Sequence, residues 1–571
     1  MIVAALLLAL GPAESLHALI DRDWAWRMAE SPQFATTAGV HDFDDRLEKV
    51  DEATQQRRLR ELKQRAVELQ AIPRDALQRL EQVNAEVLAE ELRARISNLE
   101  VHQYLITIQG DESFYSNLSL LPRNQPLRDA ADYGRYLQRL RDIPRFFDEN
   151  VTLMRAGLKS GMTPPQIVLK GREASARMHA VSDVHQSVFY VPFDHLPKAV
   201  PAAEAARLRS AGEAAIREAV VPAYAKLATF LAAEYIPGAR KTIAASDLPN
   251  GREYYRAQIR EYVTRDISPE ELHALGLREV SRIRAEMETV KREAGLPGEL
   301  PAFFAFLRSD PRFYARTPEE LLMRASFIAK SIDGMLPAFF GVLPRLPYRV
   351  EAVPADIAPY YTGGRYVQAA EGSDDPGTYW VNTYDLKSRP LYVLPALTLH
   401  EAVPGHHLQI ALAAEQRGLP LFRRFAYFSV TGEGWGLYAE KLGEEMGIYR
   451  TPYEHFGRLT YEMWRACRLV VDTGMHSLGW PREKSIAFLR GNTALSEHEI
   501  ETETDRYLGW PAQALSYKIG ELAILQLRHQ AEAALGQRFD KRKFHDAILS
   551  TGSVPLPVLE EEIERFITQT H

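Results

Sequence analysis

The chain has 571 residues, a formal net charge of −7, 46% hydrophobic and 25% charged residues. That is ordinary for a soluble globular protein with ample material for a core, arranged as roughly two to four domains or one multi-lobed body. The mild acidity and the lack of a basic stripe argue against nucleic acid as the main partner, and a single cysteine, Cys467, excludes an internal disulfide and any cysteine-based metal site.

In chain order, residues 1–10 are almost wholly apolar and are followed by Gly11-Pro12-Ala13. This is the look of an export signal's hydrophobic stretch and small-residue cleavage site, without the usual basic start. The run is too short to cross a bilayer as a helix. A periplasmic or secreted location is therefore expected, with the cytoplasm as the alternative, and no integral membrane span. Helical apolar spacing covers residues 75–99, and residues 202–235 are Ala-rich and long enough for one or two helices. Ser268-Pro269-Glu270-Glu271 and Thr317-Pro318-Glu319-Glu320 both read as helix starts, with a capping side chain, Pro at the first position and Glu three residues on. Thr163-Pro164-Pro165-Gln166 is a near relative. The Gly/Pro-rich turn at residues 296–301 and the loop around Gly363-Gly364 are candidate joints, and the first divides the chain into a possible leader (1–17), a helical lobe (18–300) and a catalytic lobe (301–571), closely packed.

Residues 349–383 break the helical pattern. They are rich in Tyr, Val and Pro, with a turn at residues 371–377 and a strand expected at residues 378–384. The expected fold class is thus mostly α, a large multi-helix body with one small β element.

The string His400-Glu401-Ala402-Val403-Pro404-Gly405-His406-His407 follows. It looks like the HExxH zinc motif, stretched. In the regular motif two His one turn apart meet one Zn²⁺, with a Glu between them to activate water. Here the position four after His400 is Pro404, which cannot ligate. Pro removes a backbone donor and Gly tolerates unusual angles, which leaves two readings open: a π-type bulge at Pro404-Gly405 that brings His406 round to the metal, or a helix that ends at Pro404 with two ordinary polar His after it. His407 is the alternative ligand.

Glu433-Gly434-Trp435-Gly436-Leu437-Tyr438-Ala439-Glu440 resembles the NEGFA-type segment of aminopeptidase N-like enzymes. The resemblance implies that Glu433 is the third zinc ligand. Glu440, seven residues on and on the same helical face, fits a role in orienting a ligand His. The order of segments resembles a large bacterial family long labelled as a domain of unknown function and grouped with the gluzincin metallopeptidases, whose hallmark is His-Glu-x-x-Pro-Gly-His-His. The match runs on through Arg468 to His476, Pro511 to Gly520, and the stretch from Gly552. It implies a zinc-dependent hydrolase acting on short peptides, with a metallopeptidase-like helical body and a β element beside the zinc helix.

On that reading Glu401 takes the proton of the attacking water and returns it to the leaving amine. Tyr517 and His476 are candidate donors to the oxyanion. Arg468, Arg506 and Lys518 are candidates for binding a substrate carboxylate. Asn382, with the backbone of residues 380–382, is a candidate for holding a peptide as an added strand. Two other classes stay open: an inactive peptide- or partner-binding scaffold, and a metal-dependent hydrolase of non-peptide amides or esters. The intact Glu401 argues against the first. No GxSxG elbow, P-loop or dinucleotide fingerprint is present.

Overall fold

The Ser268 hydroxyl accepts a hydrogen bond from the Glu271 N–H, and the Glu271 carboxylate accepts one from the Ser268 N–H, closing the box that starts helix α1 (Pro269–Glu293). Thr317 caps the helix Pro318–Asp333 through the Glu320 N–H. Thr163 behaves differently. Its hydroxyl accepts from the Arg240 N–H, and the residues after it form only a short 3₁₀ turn, Gln166–Leu169. These features come from a computed structural model that describes residues 11–109, 112–355, 357–371 and 375–570. Of the leader-like stretch, residues 1–10 lie outside the described residues, while residues 12–17 belong to the helix Pro12–Glu30, with Leu16 fully buried.

The fold is mostly α, and the chain divides into two units. The first runs to Ile243, with short returning pieces at Asp247–Asn250 and near Ala370. Its spine is the 31-residue helix Ala130–Ser160, capped by Asp129 and ended by Gly161 in the left-handed conformation. A helical run, Ala202–Gly238, is long and apolar enough by composition to cross a membrane, but 50% of its apolar window is buried inside the protein, as in a core helix. π-turns at Ile216–Val220 and Leu231–Tyr235 precede Pro222 and Pro237, which lack the N–H that a regular turn would use.

The second unit holds Ala244–Ser246, Gly251–Ala369 and Asp374–His571. The expected joint at residues 296–301 therefore falls inside it. Helix α1 packs along α5 (Pro452–His476), where a Cβ on Gly276 would sit 2.8 Å from Leu469 and Val470 side-chain atoms. Helix α5 is the centre of this unit: every residue from Phe456 to His476 is buried. Cys467 lies within it, fully buried, its thiol pushed up by burial.

The β element is a three-stranded sheet of β1 (Tyr348–Ala352), β2 (Gly364–Val367) and β3 (Gly377–Val381), in the order β1-β3-β2. Strand β3 pairs in parallel with β1 and antiparallel with β2. The strand expected at residues 378–384 is thus present but central. Both its edges are taken, and β2 is an edge strand.

Candidate metal centre

The stretched motif folds as an interrupted helix. Helix α2 (Leu394–Glu401) ends at Glu401, and α3 (His406–Glu415) begins at His406. The expected bulge within one helix is instead a turn over residues 402–405, spanned by a hydrogen bond from the His407 N–H to the Ala402 carbonyl at 3.1 Å. Pro404 cannot donate to the α2 ladder, which accounts for the stop. Gly405 folds back so closely that a Cβ would lie 1.9 Å from the His400 carbonyl oxygen. Trp435 Nε1 donates to the Pro404 carbonyl at 2.8 Å and so ties the turn to helix α4 (Ser429–Glu445).

The turn places His406 opposite His400, with ring centroids 4.8 Å apart. Glu433 projects from α4 between them: its Oε2 is 3.4 Å from His400 Nε2 and 3.3 Å from His406 Nε2. The three ligating atoms lie within 4.8 Å of one another. Zinc–ligand distances of about 2.0–2.1 Å in a tetrahedron give ligand–ligand edges of about 3.4 Å, which the Glu433–His400 and Glu433–His406 spacings match. Two glycines make this possible. A Cβ on Gly436 would meet the His400 ring at 2.7 Å, and Gly434 crosses Gly520 of α6 (Ser516–Leu535) so closely that a Cβ on Gly434 would lie 2.4 Å from the Gly520 Cα. That crossing brings Tyr517, three residues before Gly520, beside the centre. Its ring stacks on His400 at 6.3 Å and 21°.

The electrostatics of the pocket favour a cation. His400 Nδ1 bonds Glu440 Oε1 at 2.8 Å, with Glu440 fully buried. Burial opposes protonation of His400, but hydrogen bonds to Glu433 and Glu440 outweigh it and push the ring up to about 10. Burial would likewise raise Glu433, yet His400 and His406 hold it well below the usual carboxylate range. A positive charge at this point, whether protons or a metal ion, is what two buried carboxylates demand. The donor set, two imidazoles and a carboxylate with a carboxylate behind one imidazole, is of a kind that fits zinc.

His407 faces the other way. Its Nδ1 is 3.1 Å from the Tyr366 hydroxyl, its ring packs on Tyr348 at 4.7 Å, and burial depresses it to about 4 against a bond to the Leu346 backbone. It anchors strand β2 and stays off the centre. Glu401 Oε2 accepts from the Tyr366 N–H at 2.8 Å, so the same strand fixes the expected base.

The remaining expected site residues serve structure. His476 is fully buried, and both ring nitrogens are occupied, by the Ala245 N–H at 3.0 Å and the Tyr507 carbonyl at 2.9 Å. It cannot reach an oxyanion at the centre. Asn382 spends its amide nitrogen on the carbonyls of Ala358, Tyr361 and Thr362 and its oxygen on the Tyr384 N–H, pinning a loop. Lys518 sits among Glu462, Glu521 and Glu279 with no exposed surface. Arg468 is 2% exposed and pairs with Glu503 and the Tyr507 hydroxyl. Arg506 bonds Glu503 and Gln513. None of these offers a surface cation for a substrate carboxylate. Two residues at the centre escaped the sequence reading. Tyr427, half-exposed, brings its hydroxyl 3.4 Å from Glu433 Oε1, and Arg465 lies 3.8 Å from Glu440. The only local signal for Tyr427 is Gly432, whose missing Cβ leaves room for the Tyr427 ring.

The pattern of the bacterial family described as "Bacterial protein of unknown function (DUF885)" matches residues 32–563. No curated protein matches the chain. Among solved structures, a protein from Colwellia psychrerythraea described as a "putative lipoprotein" superposes with a TM-score of 0.92 at 27% identity, covering 98% of this chain and 100% of its own. A "putative lipoprotein of unknown function" from Shewanella oneidensis gives a TM-score of 0.71 at 19% identity over 97% of this chain and 99% of its own, a likeness of fold.

Proposed function

The chain belongs to that bacterial family, and from its metal centre we propose a gluzincin-like zinc peptidase that hydrolyses short peptides. The observation that carries this reading is the convergence of His400 Nε2, His406 Nε2 and Glu433 Oε2, with Glu401 and Glu440 placed beside them. His400, His406 and Glu433 would hold Zn²⁺, which supplies the Lewis acidity that makes water nucleophilic near neutral pH.

The chain's own residues do the rest. Glu401 has one carboxylate oxygen fixed by the Tyr366 N–H, which leaves the other to take a proton from water and pass it to the leaving amine. Glu440 sets the orientation of His400 through Nδ1. Tyr517, stacked on His400, and Tyr427, beside Glu433, are hydroxyl donors available to the developing oxyanion. Strand β2 takes over the substrate-holding role expected of residues 380–382. In an antiparallel strand alternate residues turn their amides outward; the outward amide of Tyr366 is taken by Glu401, so Gly364, in the same register, is the position at which an extended peptide would meet this edge. The lipoprotein descriptions of the two structural neighbours and the apolar start of the chain together favour an extracytoplasmic location.

A panel of blocked peptides and matched esters, assayed with wild type and Glu401→Gln after zinc loading, tests the reaction class. Peptide cleavage that is lost in the variant supports the reading. Ester cleavage alone would move the protein to the non-peptide hydrolases, and no turnover in either protein would leave a binding scaffold.

A further inference from the structure

Helix α5 carries Arg465 and Arg468 one turn apart on one face, with 5% and 2% of their surface exposed. Like charges at this spacing repel, and each guanidinium presents five N–H donors. Arg468 gives Nη2 to Glu503 and Nε to the Tyr507 hydroxyl, each at 2.9 Å, but its Nη1 is buried without an acceptor. Arg465 is less well served. Its Nη2 lies 3.8 Å from Glu440 Oε1, the oxygen that already bonds His400, and its Nε and Nη1 are buried without an acceptor. The carboxylate oxygens nearest the pair are shared, Glu440 Oε1 with His400 and Glu503 Oε2 with Arg506 at 3.2 Å, while Glu440 Oε2 is buried without a donor.

Aromatic faces cover the cations: Trp464 lies 4.2 Å and Tyr461 4.6 Å from Arg465, and Tyr517 lies 4.4 Å from Arg468 and 5.7 Å from Arg465. Ring faces stabilise the charge but give the in-plane N–H groups no oxygen or halide to point at. A water would satisfy donors and leave the charge uncompensated.

We infer that the Arg465–Arg468 pair, beside the Tyr517 ring, is a binding site for a small monovalent inorganic anion of the halide kind. The donors are sealed from solvent, which favours a small ion held inside over a substrate carboxylate. The bound anion holds Arg465 against Glu440 and Arg468 against Tyr517, and so reaches His400 through a carboxylate on one side and a ring on the other.

The test uses the full zinc-loaded chain. Thermal midpoints are measured in rising sodium chloride or bromide against sodium gluconate at equal ionic strength. Wild type is expected to gain about 1–3 °C in a saturable way in halide only. The halide-specific gain should vanish in Arg465→Met and weaken in Arg465→Lys, each compared in halide and gluconate at the same zinc loading. Identical midpoints in halide and gluconate overturn the assignment. So does stabilisation by an N-blocked dipeptide carboxylate but not by halide, which would hand the pair to substrate. Should Arg465→Met fail to fold, crystals of wild type grown with bromide decide: an anomalous peak between the two guanidiniums supports the site, and its absence overturns it.

Discussion

His406 and His476 are both buried histidines on helices of the second unit, and the fold treats them in opposite ways. At the turn between α2 and α3, the break at Pro404-Gly405 points the His406 Nε2 at Glu433 and His400, so that three donors converge on one point. At the C-terminal end of α5, His476 Nδ1 receives a backbone N–H and Nε2 gives its proton to a backbone carbonyl, so no donor or acceptor is left over. The teaching is that chemistry-bearing residue types become sites only where the backbone declines to satisfy them. Pro and Gly create that condition by stopping a helix, whereas the His476 region is closed by Ala245 and Tyr507 from elsewhere in the chain.

This contrast can be broken by mutation. The largest effect is expected at Glu401: Glu401→Gln should lower peptide turnover by about 10²–10⁴-fold with zinc retained. Tyr517→Phe should cost about 10²-fold or more in kcat with little change in KM, and an unchanged kcat would remove Tyr517 from the reaction. Glu440→Ala is expected to weaken zinc affinity by about 10–100-fold, read in a chelator competition. His476→Ala should behave as a stability mutant only, losing about 1–3 kcal/mol while turnover per folded molecule and zinc content stay at wild-type levels.

An effect on stability alone, and only at low pH, is expected at a third buried histidine. His545 is wrapped like His476, by the Tyr438 hydroxyl at 2.7 Å and the Phe339 carbonyl at 2.9 Å, and burial depresses it to about 4. Its folded value lies below the unfolded one of about 6.5, so the unfolded chain binds the extra proton. The contribution to stability is complete above pH ~6.5 and is lost as the pH falls toward 4, up to about 3 kcal/mol. The stability difference between wild type and His545→Gln should shrink over that window, and a flat difference would contradict the assignment.

The sequence made some of this legible and not the rest. His400, His406, Glu433 and Glu440 sit on three helices, α2, α3 and α4; the motif string marked the two His, the resemblance of the α4 segment marked Glu433, and the seven-residue spacing placed Glu440 on the same face. Tyr517 was reachable only because the segment Pro511 to Gly520 matches the family pattern; the helix crossing at Gly434 and Gly520 that carries it to the centre was not. The roles of Asn382, Lys518 and His476 were not legible, because each is decided by groups distant in the chain: the carbonyls of residues 358–362, Glu279 and Glu462, and Ala245. The strand order was hidden for the same reason. Nothing in Thr378–Val381 announces that β1 lies beyond it in parallel, which makes β3 central and leaves β2 as the edge beside Glu401.

The central claim rests on one ion. Metal content of the purified chain, by elemental mass spectrometry on wild type beside Glu433→Ala and His407→Phe, tests it most directly. The account predicts about one zinc per chain in wild type and in His407→Phe, and none in Glu433→Ala. A wild type that takes up no stoichiometric metal after zinc is added back would contradict it, and loss of zinc in His407→Phe would contradict the choice of His406 over His407.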